Sequence, residues 1–265
     1  MNRRERKMCD LLKKLNMEFG AVSVKAEFEA EGTRTDELLR LVEISRKADL
    51  KVGLKIGGCE AIRDLIESKQ IGVEYIVAPM VETGYALSKF IDAKNKVYRE
   101  QEREDTQFLA NLETITGFEN IEAMSKIAAS EGGLDGFVFG RVDFAGSMNL
   151  NRDRLNGKEL IKYCLAVSKI CHANKLDLVV GGGISVEAVD ALKAINENYL
   201  SRFETRKIIF DSKSLKNSTI GDGLLAAVEF ELLWLKNKQE YYSMITSEDE
   251  KRIDMLEARW KVGGH

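Results

Sequence analysis

The chain has 265 residues, 44% of them apolar, with 40 Lys and Arg against 43 Asp and Glu and a formal net charge of −3. That apolar share supports a sizeable core, and the slight negative balance argues against nucleic acid or an anionic membrane as the main partner. The expected ligand is small, and the length admits either one large α/β barrel or two smaller domains.

The first residues include Arg3, Arg4, Arg6 and Lys7, with no apolar stretch and small-residue cleavage site behind them, so they do not read as a secretory signal. No apolar run approaches the length of a membrane span, and the expectation is a soluble, cytoplasmic protein. Cys9, Cys59, Cys164 and Cys171 show no CxxC pairing and read as reduced thiols. Cys164 and Cys171, a heptad apart, are expected to pack on one helix face.

Residues 3–15 carry an amphipathic helical pattern with Met8, Leu11, Leu12 and Leu15 on one face. A strand is predicted over Ala21–Phe28, then an acidic segment to Gly32 and a helix capped by Thr33 or Thr35. Lys51–Ile56 reads as the second strand, ended by Gly57 and Gly58, with a helix over 60–68 and a strand over 74–78 after it. Pro79, the only proline, marks that strand's end, because the ladder needs no donor there. A helix over 85–97 runs into a charged stretch at 99–105.

Between Phe108 and Met148 the chain reads strand, helix, strand, with the helix at about 117–129. Glu113 ends the first of these strands and Asp143 stands just past the second. Adjacent parallel strands bring their C-terminal ends to one rim, and two acids on one rim suit a hard divalent cation with positions left for water and substrate. A helix over 157–173, a strand over 176–180 and the run Gly181-Gly182-Gly183 follow, with Ser185 as the cap of a helix to about 195. The last clear strand is 206–210, and the pattern beyond Gly223 is helical, too apolar for a free tail.

Seven strands alternating with helices imply a parallel sheet, either doubly wound or closed. An eighth strand is sought near Phe19 and Gly20. The expected division is a barrel domain over residues 1–222 and a helical extension over 223–265, packed on its own barrel or on a second subunit.

Four segments resemble, in order, the class II pyruvate aldolase and citrate lyase β family of HpcH/HpaI type: Leu54-Lys55-Ile56, Ala78-Pro79-Met80-Val81-Glu82-Thr83, Leu112-Glu113-Thr114, and Gly140-Arg141-Val142-Asp143-Phe144-Ala145-Gly146-Ser147-Met148. The resemblance spans roughly residues 31–184 and implies a (β/α)8 TIM barrel. It also implies Mg²⁺ or Mn²⁺ held by Glu113 and Asp143, and carbon–carbon bond cleavage or formation through the enolate of a pyruvate-like 2-oxo acid. Gly140 and Arg141 would meet the substrate carboxylate, and relatives of this kind imply a homo-oligomer. A phosphoenolpyruvate-using enzyme, an acyl-CoA lyase and a non-catalytic binding relative are the alternatives.

The sequence departs from the family pattern in three places. The family's strand-end Glu-His aligns with Glu31-Gly32, leaving no histidine for proton transfer there; His172 and His265 lie elsewhere in the sequence. Lys55 replaces an arginine, keeping the charge but losing the planar fork. Arg141 replaces a proline and is expected to face the substrate. Lys55, between Leu54 and Ile56, is an inward ammonium that is costly unless it faces a site; it reads as a substrate-binding and catalytic group, with a Schiff base as one option. Glu27, Glu29 and Glu31 supply either a base, with Glu31 chosen from the alignment, or an acidic helix start. Glu82 is either a substrate-side residue or a helix-start charge, and the glycine run is either an anion seat or a tight turn.

Overall fold

The computed structural model describes residues 1–262. Helix α1 (Arg3–Phe19) starts on a capping box between Asn2 and Glu5 and stops at Gly20, whose φ of 70° is the left-handed conformation glycine adopts without penalty. The elements that follow are β1 (Ala21–Glu27), α2 (Thr35–Arg46), β2 (Lys51–Lys55), α3 (Ile62–Ile71), β3 (Tyr75–Ala78) and α4 (Gly84–Val97). Then come β4 (Gln107–Leu112), α5 (Ile115–Glu119), α6 (Ile121–Ala128), β5 (Gly136–Gly140), α7 (Arg141–Ser147), α8 (Lys158–Ala173), β6 (Asp177–Gly181) and α9 (Val189–Asn196). The chain ends with β7 (Arg202–Glu204), β8 (Ile208–Asp211) and α10 (Ile220–Val262).

All eight strands close into one barrel in sequence order. Each successive pair from β1 to β7 is parallel, whereas β8 runs antiparallel to both β7 and β1. The eighth strand of the barrel is therefore the return arm of a tight hairpin over Thr205–Lys207. The strand missing from the sequence reading is β7, three residues long, and not a segment at Phe19 and Gly20, which form the end of α1. The cap of α2 also differs: Arg34 occupies the cap position, with Glu37 reaching back to its N–H, and neither Thr33 nor Thr35 does so. Helix α10 begins at Ile220, three residues before the predicted extension.

Strand alternation divides the side chains between two environments. Val24, Ala26, Val52, Leu54, Ile76, Phe108, Ala110, Phe137, Phe139, Leu178 and Phe203 point outward into the main core beneath the helices. Tyr75, Val77, Leu109, Val138 and Val179 form a separate cluster inside the barrel. The same alternation sends Lys25, Glu27, Lys55, Asn111 and Glu204 inward above that cluster, where the strands end. Cys9, Cys164 and Cys171 are buried free thiols, and burial pushes the last two up to about 12, which suits packing rather than reactivity.

Because β8 brings the chain back to the N-terminal end of the barrel, α10 climbs the whole wall. It packs antiparallel on α1, with contacts from Gly223 against Phe19 at one end to Glu240 on Arg4 at the other. No helix among the described residues is long and apolar enough to cross a membrane.

Candidate active site at the C-terminal mouth of the barrel

Glu113 directly follows β4, its side chain only 1% exposed, and is held from three sides. Oε1 accepts the N–H of Met80 at 2.9 Å, while Oε2 accepts Nδ2 of Asn111 at 2.6 Å and lies 3.5 Å from Nζ of Lys55. Met80 makes its bond from left-handed backbone, φ 50°, a conformation that costs a non-glycine residue about 1–3 kcal/mol and tends to persist at functional sites. On the β5 side, a Cβ on Gly140 would come within 2.9 Å of Glu113 Cβ and 3.0 Å of Oε2, so glycine lets the strand close on the carboxylate.

Asn111 Oδ1 is buried and has no hydrogen-bond partner among the described residues. Turning the amide over would set this oxygen against the Glu113 carboxylate, so Glu113 itself dictates which end stays unpaired. An unpaired buried acceptor costs about 1–3 kcal/mol, which a donor or cation arriving beside Glu113 would relieve.

Lys55, 11% exposed, bridges two acids: Glu113 inside the mouth and Glu29, at 3.1 Å and 29% exposed, toward solvent. Next to it, Lys25 is bonded to Glu204 and lies 3.5 Å from Glu27. Burial alone would lower the Lys25 ammonium, but Glu204 and Glu27 outweigh it and hold the group above its ordinary value. At the hairpin, Arg206 meets Glu27 and Glu31, and Lys207 is bonded to Glu31. Burial works to raise the Glu31 carboxyl, yet Lys207 and Arg206 together bring it below the usual range; for Lys207 burial wins and its pKa falls.

The structure brings Lys55, Glu113 and Gly140 together. Glu31 does not join them: it is committed to Lys207 and Arg206, and Glu29 is the loop acid that reaches Lys55. Arg141 does not face the mouth either. It is 1% exposed, donating from Nε to Gly182 O and from Nη2 to Gly183 O, both at 3.0 Å, and from Nη1 to Asn156 Oδ1 at 2.9 Å. Burial without a carboxylate partner lowers its pKa, and its work is to tie the β5 and β6 rims together. The glycine run is accordingly a tight turn, with φ of 81° at Gly182 and 63° at Gly183.

Glu82 accepts the Thr114 hydroxyl at 2.6 Å and so braces the turn behind Glu113. Ser147 accepts the Ile115 N–H at 2.9 Å from the α7 side. Asp143 lies exposed in the first turn of α7, a helix fixed by Phe144, whose ring meets Phe139 at 4.7 Å and Tyr163 at 5.2 Å. His172 stacks on Tyr199 at 5.1 Å on the far end of α8, and His265 lies outside the described residues.

Asn111, Lys25, Glu204 and the Arg206–Lys207 pair escaped the sequence reading. Lys25 and Glu27 carried the same signal as Lys55, charge alternating with apolar residues along a strand. Glu204 was hidden because its strand was not recognised.

Among the described residues no three His, Cys, Asp or Glu side chains gather into a cation cage. Glu113 stands at the mouth beside the unpaired Asn111 Oδ1, and Asp143 stands exposed on α7. Carboxylate and amide oxygens are the donor types that a hard, partly hydrated divalent ion takes, with water and substrate completing its shell.

A closed α/β barrel with carboxylates and a lysine at the C-terminal mouth is the architecture of a barrel enzyme. The sequence model of the HpcH/HpaI aldolase/citrate lyase family matches residues 22–199, more than half of the chain, and the chain belongs to that family of aldolases and lyases. Comparison with curated proteins gives no match. Among solved structures, an HpcH/HpaI aldolase from Desulfitobacterium hafniense DCB-2 is similar, with TM-score 0.59 and 11% identity over 74% of this chain and 82% of that one. The citrate synthase SbnG gives TM-score 0.58 and 15% identity over 88% and 90%. A family protein from Burkholderia cenocepacia J2315 gives 0.60 and 12% over 88% and 90%. At these identities the likeness is one of fold.

Proposed function

We propose that the protein is a metal-dependent carbon–carbon lyase or aldolase acting through the enolate of a pyruvate-like 2-oxo acid. The observation that carries this reading is the convergence, at one mouth, of the Glu113 carboxylate, the Lys55 ammonium and the unpaired Asn111 oxygen. Glu113 and Asp143 would hold Mg²⁺ or Mn²⁺, with Asn111 Oδ1 accepting from a water or hydroxyl beside them. When bound, the ion supplies Lewis-acid stabilisation that grows as charge develops on the substrate oxygen.

The chain's own groups do the remaining work. Lys55, 11% exposed, presents positive charge to the substrate carboxylate or to the oxygen that becomes negative, and burial to that degree strengthens the attraction relative to water. Met80 N–H and Asn111 keep the Glu113 carboxylate aimed, and the Glu82–Thr114 and Ser147–Ile115 bonds keep the turn behind it from shifting. Lys25 and Glu204 complete the neighbouring interior wall without spare charge.

The partner we propose besides substrate is a second copy of the chain. From residue 243 onward α10 has mostly exposed side chains, including Met244, Ile253 and Leu256, and an isolated helix of that length is marginal in water. A cytoplasmic location goes with the same reading.

Titration calorimetry with Mn²⁺ tests the site: wild type is expected to bind and Glu113→Gln to lose binding. Unchanged affinity in the variant would remove Glu113 from the cation. The melting temperature measured with pyruvate, oxaloacetate or phosphoenolpyruvate in the presence of Mg²⁺ then identifies the substrate class by which compound raises it.

A further inference from the structure

We propose that Glu29 is the catalytic carboxylate that takes and returns the substrate proton at this mouth, an assignment that rests on the enolate reading above. No imidazole stands at the mouth among the described residues, so some other group must carry the proton. The acids there are not equivalent. Glu27 is engaged by Lys25 and Arg206, Glu204 by Lys25, and Glu31 by Arg206 and Lys207. Glu113 is bonded on both oxygens, Glu82 braces the Thr114 hydroxyl through Oε1 and has no ion-pair contact with Lys55, and Asp143 is the proposed cation ligand.

Glu29 meets Lys55 alone, through Oε2 at 3.1 Å, and its Oε1 has no partner among the described residues. A general base must come within hydrogen-bond reach of the proton it takes, and Glu29, 29% exposed at the rim, can also pass that proton on to solvent. Lys55 sits between Glu113 and Glu29, so a substrate oxygen drawn to its ammonium lies beside Glu29 as well. In the forward step a C3–H bond of the 2-oxo acid breaks and the proton forms an O–H bond on Glu29. The C–H electron pair becomes the C2=C3 bond, and the carbonyl π pair moves to the C2 oxygen. The proton is then lost to water, or returned to C3 in the reverse step.

Proton–deuterium exchange at the pyruvate methyl, followed by NMR in D₂O with Mg²⁺, tests the assignment on wild type, Glu29→Gln and Glu29→Asp. Exchange is expected to fall about 100-fold or more in the Gln variant and to recover in part with Asp, a loss typical of a missing general base. Release of CO₂ from oxaloacetate makes the same enolate without a C–H base and is expected to persist in the Gln variant, while protonation of that enolate at C3 slows. The rise in melting temperature caused by pyruvate is expected to stay near wild type. Exchange at the wild-type rate in Glu29→Gln overturns the proposal. Loss of decarboxylation and pyruvate binding along with exchange also overturns it, because Glu29 would then hold substrate rather than move its proton. A wild type that neither exchanges nor decarboxylates defeats the enolate reading itself, and the Glu29 assignment with it.

Discussion

Lys207 is 2% exposed, and the carboxylate that compensates its ammonium belongs to Glu31. Removing one partner of a buried pair costs far more than the pair contributes, so Glu31→Gln is expected to lose about 2–3 kcal/mol of stability at neutral pH by denaturant unfolding. The folded Glu31 carboxyl lies below its unfolded value of 4.5. Its contribution is therefore complete above about pH 5 and fades as pH falls through the folded pKa, so the wild-type and variant curves should converge once the solution is more acidic than that folded value. Gly140→Ala tests the close approach of β5: the new methyl would press on Glu113, and Mn²⁺ affinity is expected to drop about tenfold or more while the fold survives. At this scale the sequence discloses Lys55, because charge between apolar strand neighbours must face something polar. It does not separate Glu29 from Glu31, since an irregular loop has no period to tell which side chain turns inward. The orientation of Arg141 is equally hidden, being set by carbonyls of the β6 turn 41 and 42 residues away.

Elements with a strong period are legible and short ones are not. Strands β1 to β6 and the long helices fall within a few residues of their predicted bounds, whereas β7 has three residues with a single apolar one, Phe203, and escapes. The predicted helix over 117–129 is two helices meeting at Asn120, whose side chain bonds the carbonyls of Glu82 and Thr116. Helix α10 has two regimes: its first half buries Leu224, Ala227, Phe230 and Trp234 against the barrel, and its second half stands in solvent. Deleting residues 248–265 is therefore expected to leave the melting temperature within a few degrees of wild type. Light scattering should show the full chain as an oligomer and the truncated chain with a smaller mass. An unchanged mass would mean that this part of α10 does not mediate assembly.

For the whole molecule, the alternation of strands and helices indicates a parallel sheet, open or closed, and it is the resemblance of the segments at 54–56, 78–83, 112–114 and 140–148 to the family that selects the barrel. The direction of the closing strand is hidden with β7: a hairpin shows itself as two strands a few residues apart, whereas a parallel crossover needs a dozen or more, and with β7 unrecognised only the second arm of the hairpin is seen. The interior wall contributed by β1, β7 and the hairpin, with Lys25, Glu204 and Lys207, is hidden for the same reason.

The pairing of β8 with β1, together with the embrace of α1 by α10, constrains the order in which the molecule can be born. As the ribosome releases the polypeptide, the first strand has an open flank until its β8 partners emerge 184 to 189 residues later, and the first helix keeps a bare oily stripe at Met8 and Leu12 until α10 follows. Completion depends on sequence-distant partners, the slow kind of contact, so the nascent form spends its longest interval with both edges unprotected.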